Sequence, residues 1–265
     1  MLAMQPVAPG TEPAKPRPAS TVLLVRDGAD GMEVFMVVRH HQIDFASGAL
    51  VFPGGSLDAD DFVIAADSSR HSGAGDLDEQ ARAFRIGALR ETFEECGVLL
   101  ARPRGSQALV DGARVNAISK KAEGRKFSDL MAEEDLVLAL DLLTPYAHWI
   151  TPTALPKRFD THFFIAAAPA DQLALHDGSE SVDSVWINPA RGLAEAKTGK
   201  YTMVFATRVN VEMLGRQNDV ASAIEAARVR KIVTVQPDAQ KNPDGKGFIL
   251  KIPLEAGYGG DTFTS

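Results

Sequence analysis

Between Phe84 and Leu100 the chain reads FRIGALRETFEECGVLL, which crowds Arg90, Glu91, Glu94 and Glu95 into six residues. Glu94 and Glu95 follow Glu91 by three and four positions, so on a helix all three carboxylates project from one face. Like charges at this spacing repel unless a cation neutralises them. Hard divalent ions such as Mg2+ take oxygen ligands and often bind through carboxylates together with substrate phosphates. Metal-assisted attack on a phosphate is therefore one chemistry this face could perform. A solvated acidic surface has the same spacing, and the cluster alone does not separate the two.

The element that must position these groups is legible. Ile86, Leu89, Phe93 and Cys96 form an apolar stripe nearly opposite the carboxylates, so one side can enter a core. Asp76 followed by Glu79 fits a capping box and Gly97 a left-handed C-terminal cap, which predicts a helix over 77–96. Gly87 lies on the carboxylate side one turn before Glu91. It costs about 1 kcal/mol of helix propensity relative to Ala and leaves room for something to approach.

The remaining chain reads as one elaborated α/β domain over 20–265, preceded by a Pro/Ala-rich, disordered segment at 1–19. STVLLVRD and MEVFMVVRH predict a hairpin, 20–27 with 32–40, followed by a turn-rich loop around Pro53-Gly54-Gly55. Residues 62–76 are small and polar and predict an excursion. Residues 101–127 predict an irregular, basic, solvated loop carrying Lys120, Lys121, Arg125 and Lys126. A helix is expected over 128–143, strands at HWITP, THFFIAAAP and SVDSVWINP, at best a short helix at 192–198, and a helical run over 202–229. KIVTVQP and GFILKIP predict a closing hairpin. Trp149 and Trp186 are expected in the core.

With 265 residues, a net charge of −7 and no long basic stripe, the chain is not a general nucleic-acid or anionic-membrane binder. No run approaches the length of a membrane span, no signal-peptide pattern opens the chain, and the cytoplasm is the default compartment. The single cysteine, Cys96, excludes an intrachain disulfide, and its place on the apolar stripe predicts a buried small residue rather than a nucleophile.

PGG at 53–55 followed by RETFEECGV at 90–98 closely resembles the signature of the Nudix hydrolases, G-x5-E-x7-R-E-U-x-E-E-x-G-U, where U is aliphatic. Arg90, Glu91, Glu94, Glu95, Gly97 and Val98 match its second half and Gly55 its first glycine. Asp61 stands where the first glutamate belongs, and Thr92 where an aliphatic residue belongs. Residues 62–89 number twenty-eight where seven are usual. This interrupted signature, with WITP, PKRFDTHFF and IPLEAGYGG around it, resembles the branch that includes the peroxisomal coenzyme A diphosphatase. A related R-x3-G-x3-FPGG pattern is met at Gly48 and 52–55, but Asp44 occupies its arginine position.

The resemblance implies an α/β/α sandwich around a mixed sheet, elaborated by an insertion inside the signature and by an added helical segment. It implies Mg2+- or Mn2+-dependent cleavage of a nucleoside diphosphate linked to another moiety, with coenzyme A or an acyl derivative foremost. ADP-ribose or NADH hydrolysis, or a non-catalytic ligand sensor, are the alternatives. Glu94 and Glu95 would bind metal, and Glu91 would bind metal or help deprotonate water. Arg90 would hold a glutamate, and a carbonyl of Gly54 or Gly55 would add a ligand. Glu180 is a candidate further ligand or base. Arg39, with His40 and His41, is a candidate substrate contact, Arg158 beside Lys157 is a candidate substrate contact or structural salt-bridge residue, and the resemblance allows a homodimer. All of this requires the Pro-Gly-Gly turn to lie within about 10 Å of the Glu94 and Glu95 carboxylates.

Overall fold

The computed structural model describes residues 12–39, 49–172, 181–243 and 247–264. The chain opens with β1 (Arg17–Gly28) and β2 (Gly31–Arg39), the expected hairpin, closed by Ala29-Asp30 with Gly31 at φ 100°. Three residues of the segment read as tail, 17–19, are thus strand. Short strands β3 (Leu50–Val51) and β4 (Gly54–Ser56) pair with β2 and β1 respectively. Next come α1 (Ala59–Ala66), β5 (His71–Ser72), α2 (Glu79–Cys96), β6 (Ala101–Pro103), α3 (Gly112–Ser119), α4 (Phe127–Glu133) and β7 (Leu136–Ala139). The centre is completed by β8 (Thr144–Ile150), β9 (Phe159–Ala167) and β10 (Ser181–Ile187). The last part holds α5 (Pro189–Lys197), α6 (Phe205–Leu214), α7 (Val220–Val229), β11 (Thr234–Val235), β12 (Asp238–Lys241), β13 (Phe248–Lys251) and β14 (Thr262–Thr264).

The main sheet runs β10-β2-β1-β9-β8-β11 and is mixed, because β1 pairs β9 and β8 pairs β11 in parallel, while β2 pairs both its neighbours and β8 pairs β9 antiparallel. Strand residues alternate between its two faces. Val22, Leu24, Phe35, Val37, Phe164 and Ala166 join Ile86, Leu89, Phe93 and Cys96 of α2 in one core. Leu23, Val25, Val34, Met36, Phe163 and Ile165 join Val209, Val211 and Met213 of α6 and Ala223 and Ala227 of α7 in the other. Helices thus cover both faces, the expected α/β/α sandwich. Each fully buried Leu, Val or Phe contributes about 1.5–3 kcal/mol. Cys96 is buried, and both tryptophans pack into these cores, Trp149 buried and Trp186 partly so.

Elsewhere the expectations need correction. The cap of α2 is Asp78, not Asp76: its side chain accepts from Ala81 N at 2.7 Å, because the turn at Ala74–Leu77 uses up the residues before it. The helix expected over 128–143 stops at Glu133. Asp135 takes a left-handed φ of 48°, and Leu136–Ala139 becomes the central strand of a small β5-β7-β6 sheet. The supposed loop 101–127 holds β6 and α3, and two residues of its basic patch, Lys121 and Arg125, pair with Glu134 and Glu133. The helical run 202–229 breaks into α6 and α7, with Asp219 capping the second through Ser222 N at 2.7 Å. The short helix at 192–198 is α5, begun earlier by Pro189. The closing hairpin is displaced: Thr234–Val235 pairs in parallel with β8, and β12 with β13, flanked by β14, forms a separate sheet.

Candidate active site

The site is built where β4, the start of α1 and the last turns of α2 meet. Asp58 caps α1, accepting from Asp60 N at 2.8 Å, while Asp61 reaches back to Asp58 N at 2.8 Å. This reciprocal box holds Asp61, which is fully buried, beneath α2. Arg90 meets it with a two-pronged grip, Nε to Oδ1 at 2.9 Å and Nη2 to Oδ2 at 3.0 Å. The same guanidinium donates to the Ser56 carbonyl at 3.0 Å, to Glu91 at 2.9 Å and to Glu94 at 2.8 Å. A guanidinium has five N–H donors, and these contacts use all of them. Arg90 is therefore a brace, and its pKa is pushed far upward by the carboxylates despite its burial.

The glycine turn closes on the helix. Gly54 N donates to Glu95 Oε2 at 2.9 Å, so the turn lies well inside the distance the interrupted signature requires. Gly54 has φ 152°, and a Cβ there would lie 2.3 Å from the Ser20 carbonyl. A Cβ on Gly55 would stand 2.6 Å from the Glu91 carboxylate. Only glycine lets the turn approach this closely. Gly87 has the same logic: the group that approaches it is Asp61, whose Oδ2 would be 3.0 Å from an added Cβ.

The carboxylate face is not the solvated one that a polar stripe suggests. Glu95 is buried, Glu91 has a side-chain exposure of 14 %, and only Glu94, at 46 %, faces open solvent. Burial pushes the Glu91 carboxyl up to about 7, against the pull of Arg90, with Glu94 and Asp61 adding to the rise. Glu94 is raised for the same first reason. Arg90 pairs with Asp61, Glu91 and Glu94, and Glu95 accepts from the glycine turn. Clustered carboxylate oxygens beside a turn stripped of side chains fit a hard divalent cation. As they stand, the three glutamates are engaged by Arg90 and Gly54. The three-residue His/Cys/Asp/Glu cluster whose ligand atoms lie within 4.8 Å of one another, among the described residues, is elsewhere: His148, Asp160 and His162.

From the glutamates a cleft of about 1050 Å³ extends over the second face of the sheet. Thr161 and Phe163 of β9, Trp149, Leu155, Phe205 of α6 and Leu250 of β13 are among its walls. Lys157 also lines it. Arg158 does not: buried, it donates to the carbonyls of Thr151 and Ala14 at 3.0 and 2.8 Å and to Gln236 Oε1 at 3.1 Å. The expectation of Arg158 as a substrate contact is corrected to a clip joining three chain segments. Glu180, His40, His41 and the side chain of Arg39 lie outside the described residues. Asp61 was visible only as a substitute for the usual glutamate. The spacing of Asp58 and Asp61, a capping pattern, was the available sign of its role.

Residues 63–204, more than half the chain, match the family model described as the NUDT19 Nudix domain. The acyl-coenzyme A diphosphatase NUDT19 of Xenopus laevis is 27% identical over 214 residues, covering 63% of this chain and 56% of that protein. Its human counterpart is 28% identical over 224 residues, covering 68% and 57%. The chain therefore spans less than two thirds of the length of these relatives. A crystal structure of a Nudix hydrolase from Alicyclobacillus acidocaldarius is similar with a TM-score of 0.65 and 28% identity, over 80% of this chain and 96% of that one. Taken with the signature on α2, the braced glutamates and the glycine turn, these matches place the chain in the Nudix hydrolases, in the family of the NUDT19 Nudix domain.

Proposed function

We propose that the chain hydrolyses the diphosphate bond of a nucleoside diphosphate derivative, coenzyme A or an acyl-coenzyme A foremost, using Mg2+ or Mn2+. The observation that carries this reading is the contact of the Gly54–Gly55 turn with Glu95 and Glu91 at the head of the apolar-walled cleft. The names of the Xenopus laevis and human relatives support the substrate class. Glu91, Glu94 and Glu95, with a carbonyl of the glycine turn, would hold the cation, which when bound neutralises the diphosphate and lowers the pKa of water. Arg90, locked by Asp61, keeps Glu91 and Glu94 at fixed positions. Glu91 would hold the cation or take the proton of an attacking water. Water adds to one phosphorus, the P–O–P bridge breaks, and the bridging oxygen leaves with the other phosphate. The apolar walls suit the pantetheine and acyl portion, and Lys157 is positioned for an anionic group on the substrate. A single buried Cys96 suits a reducing compartment such as the cytoplasm.

The test is a substrate panel with Mg2+, analysed by chromatography, on wild type, Glu94→Gln and Glu95→Gln. Coenzyme A should yield 3′,5′-ADP and 4′-phosphopantetheine. Both variants should fold with near wild-type Tm while kcat falls by orders of magnitude, each tenfold loss being about 1.4 kcal/mol of transition-state stabilisation. Turnover of ADP-ribose or NADH with coenzyme A untouched would replace the substrate assignment. Wild-type turnover in both variants would remove the glutamates from the mechanism.

A further inference from the structure

On the sheet face away from the cleft, Thr234 of β11, His148 of β8 and His162 of β9 stand side by side, since register pairs Thr234 with His148 and His148 with His162. Asp160, two residues before His162, shares that face. Ligand atoms of His148, Asp160 and His162 lie within 4.8 Å of one another. His148 Nε2 is 2.5 Å from Asp160 Oδ1, and its Nδ1 is 2.8 Å from Thr234 Oγ1. The His162 ring stacks on His148 with centroids 4.1 Å apart, and Phe84 packs on it at 4.0 Å. The Asp160–His148 contact serves only one imidazole; among the described residues no hydrogen bond reaches the His162 ring. Side-chain exposures of 18 % and 34 % leave His148 and Asp160 open to solvent.

We infer that His148, Asp160 and His162 form a second cation site, separate from the glutamates of α2, that takes a borderline transition metal, Zn2+ foremost. Two imidazoles and a carboxylate are a Zn2+ donor set, with the remaining position left to water. Mg2+ prefers oxygen ligands and retains its waters, so the two sites sort cations by ligand type. Thr234 supplies the outer partner that metal-bound histidines require: with Nδ1–H donated to its hydroxyl, His148 presents the Nε2 lone pair. An ion would lie where His148 Nε2 and Asp160 Oδ1 face each other. Because a ring nitrogen binds in its own plane, loading would also draw His162 out of the stack, so that the ion engages both imidazoles.

The test uses the full chain stripped of metal and titrated with Zn2+ against a chromophoric chelator in excess Mg2+, with Co2+ as a spectroscopic probe of nitrogen ligation. About one equivalent of Zn2+ should bind to wild type and to Glu95→Gln alike. His148→Ala, Asp160→Asn and His162→Gln should each bind at least tenfold more weakly, and Thr234→Val about tenfold more weakly. Circular dichroism of the metal-free variants checks that the fold survives, and Asp160→Asn, nearly isosteric, serves if a histidine variant does not fold. Loss of Zn2+ binding in Glu95→Gln, or wild-type binding in the folded Asp160→Asn and His162→Gln variants, would overturn the assignment. This outcome is independent of diphosphate turnover, so it can fail while the hydrolase reading stands.

Discussion

Glu91 lies between Arg90, which favours its charge, and a desolvated pocket, which does not, and burial wins. Its carboxyl rises from an ordinary 4.5 to about 7. Between those values the folded protein holds a proton that the unfolded chain has released. Stability of the metal-free protein should therefore fall as pH rises through that window and level off above it. Each pH unit between the two values corresponds to about 1.4 kcal/mol, enough to move Tm by several degrees. His162 works in the opposite sense: burial, then His148, pushes it down to about 4. The measurement is accordingly a comparison. Tm of wild type minus that of Glu91→Gln should decline between about pH 5 and pH 7.5, and excess Mg2+ at the upper end should raise wild-type Tm. A difference independent of pH would show that Glu91 titrates in its ordinary range.

At the scale of elements, α1 and α2 are locked by one ion pair, and the glycine at their crossing is part of the lock. Replacing a mid-helix Gly by Ala ordinarily gains up to about 1 kcal/mol. At Gly87 the added methyl would meet Asp61 Oδ2 at 3.0 Å and Ser20 Oγ at 3.1 Å. Asp61 cannot retreat, since its two oxygens are held by Arg90 and by Asp58 N. Gly87→Ala should therefore destabilise, by about 1–3 kcal/mol as overpacked sites do, and lower kcat by shifting Arg90. Urea unfolding and turnover together check this. A variant more stable than wild type with unchanged kcat would show that the crossing has slack.

Across the whole molecule, the C-terminal segment is tied to the cleft wall by a buried polar chain. Trp149 Nε1 donates to Tyr258 OH at 2.9 Å, Tyr258 OH donates to Asn210 Oδ1 at 2.9 Å, and Tyr146 OH donates to the Asn210 carbonyl at 3.0 Å. One hydroxyl thus joins β8, α6 and the stretch after β13. Tyr258→Phe keeps the ring but strands a buried donor and a buried acceptor, at a cost of about 1–3 kcal/mol each. Its Tm should fall by several degrees. KM should change more than kcat, because Trp149 lines the cleft but is not one of the glutamates or of the groups that brace them. An unaltered Tm would mean that water replaces the hydroxyl.

What the sequence determined by itself was local. The spacing of Glu91, Glu94 and Glu95, the stripe from Ile86 to Cys96 and the left-handed Gly97 are properties of one helix, and helical period is written in consecutive residues. The first hairpin and the alternation of β8 and β9 are local in the same way. The tertiary structure decided what distance in sequence conceals. Whether 136–139 became helix or strand depended on β5 and β6 as partners, and Thr234–Val235 left its expected hairpin because β8 offered an edge. Arg158 read as a substrate-side or a structural residue until three acceptors from separate segments surrounded it. The spacing of the carboxylates left a solvated face and a metal site both open until the glycine turn, 41 residues upstream of Glu95, closed on that face. Burial and charge compensation are sums over neighbours brought together by folding, and no window of the sequence contains those neighbours.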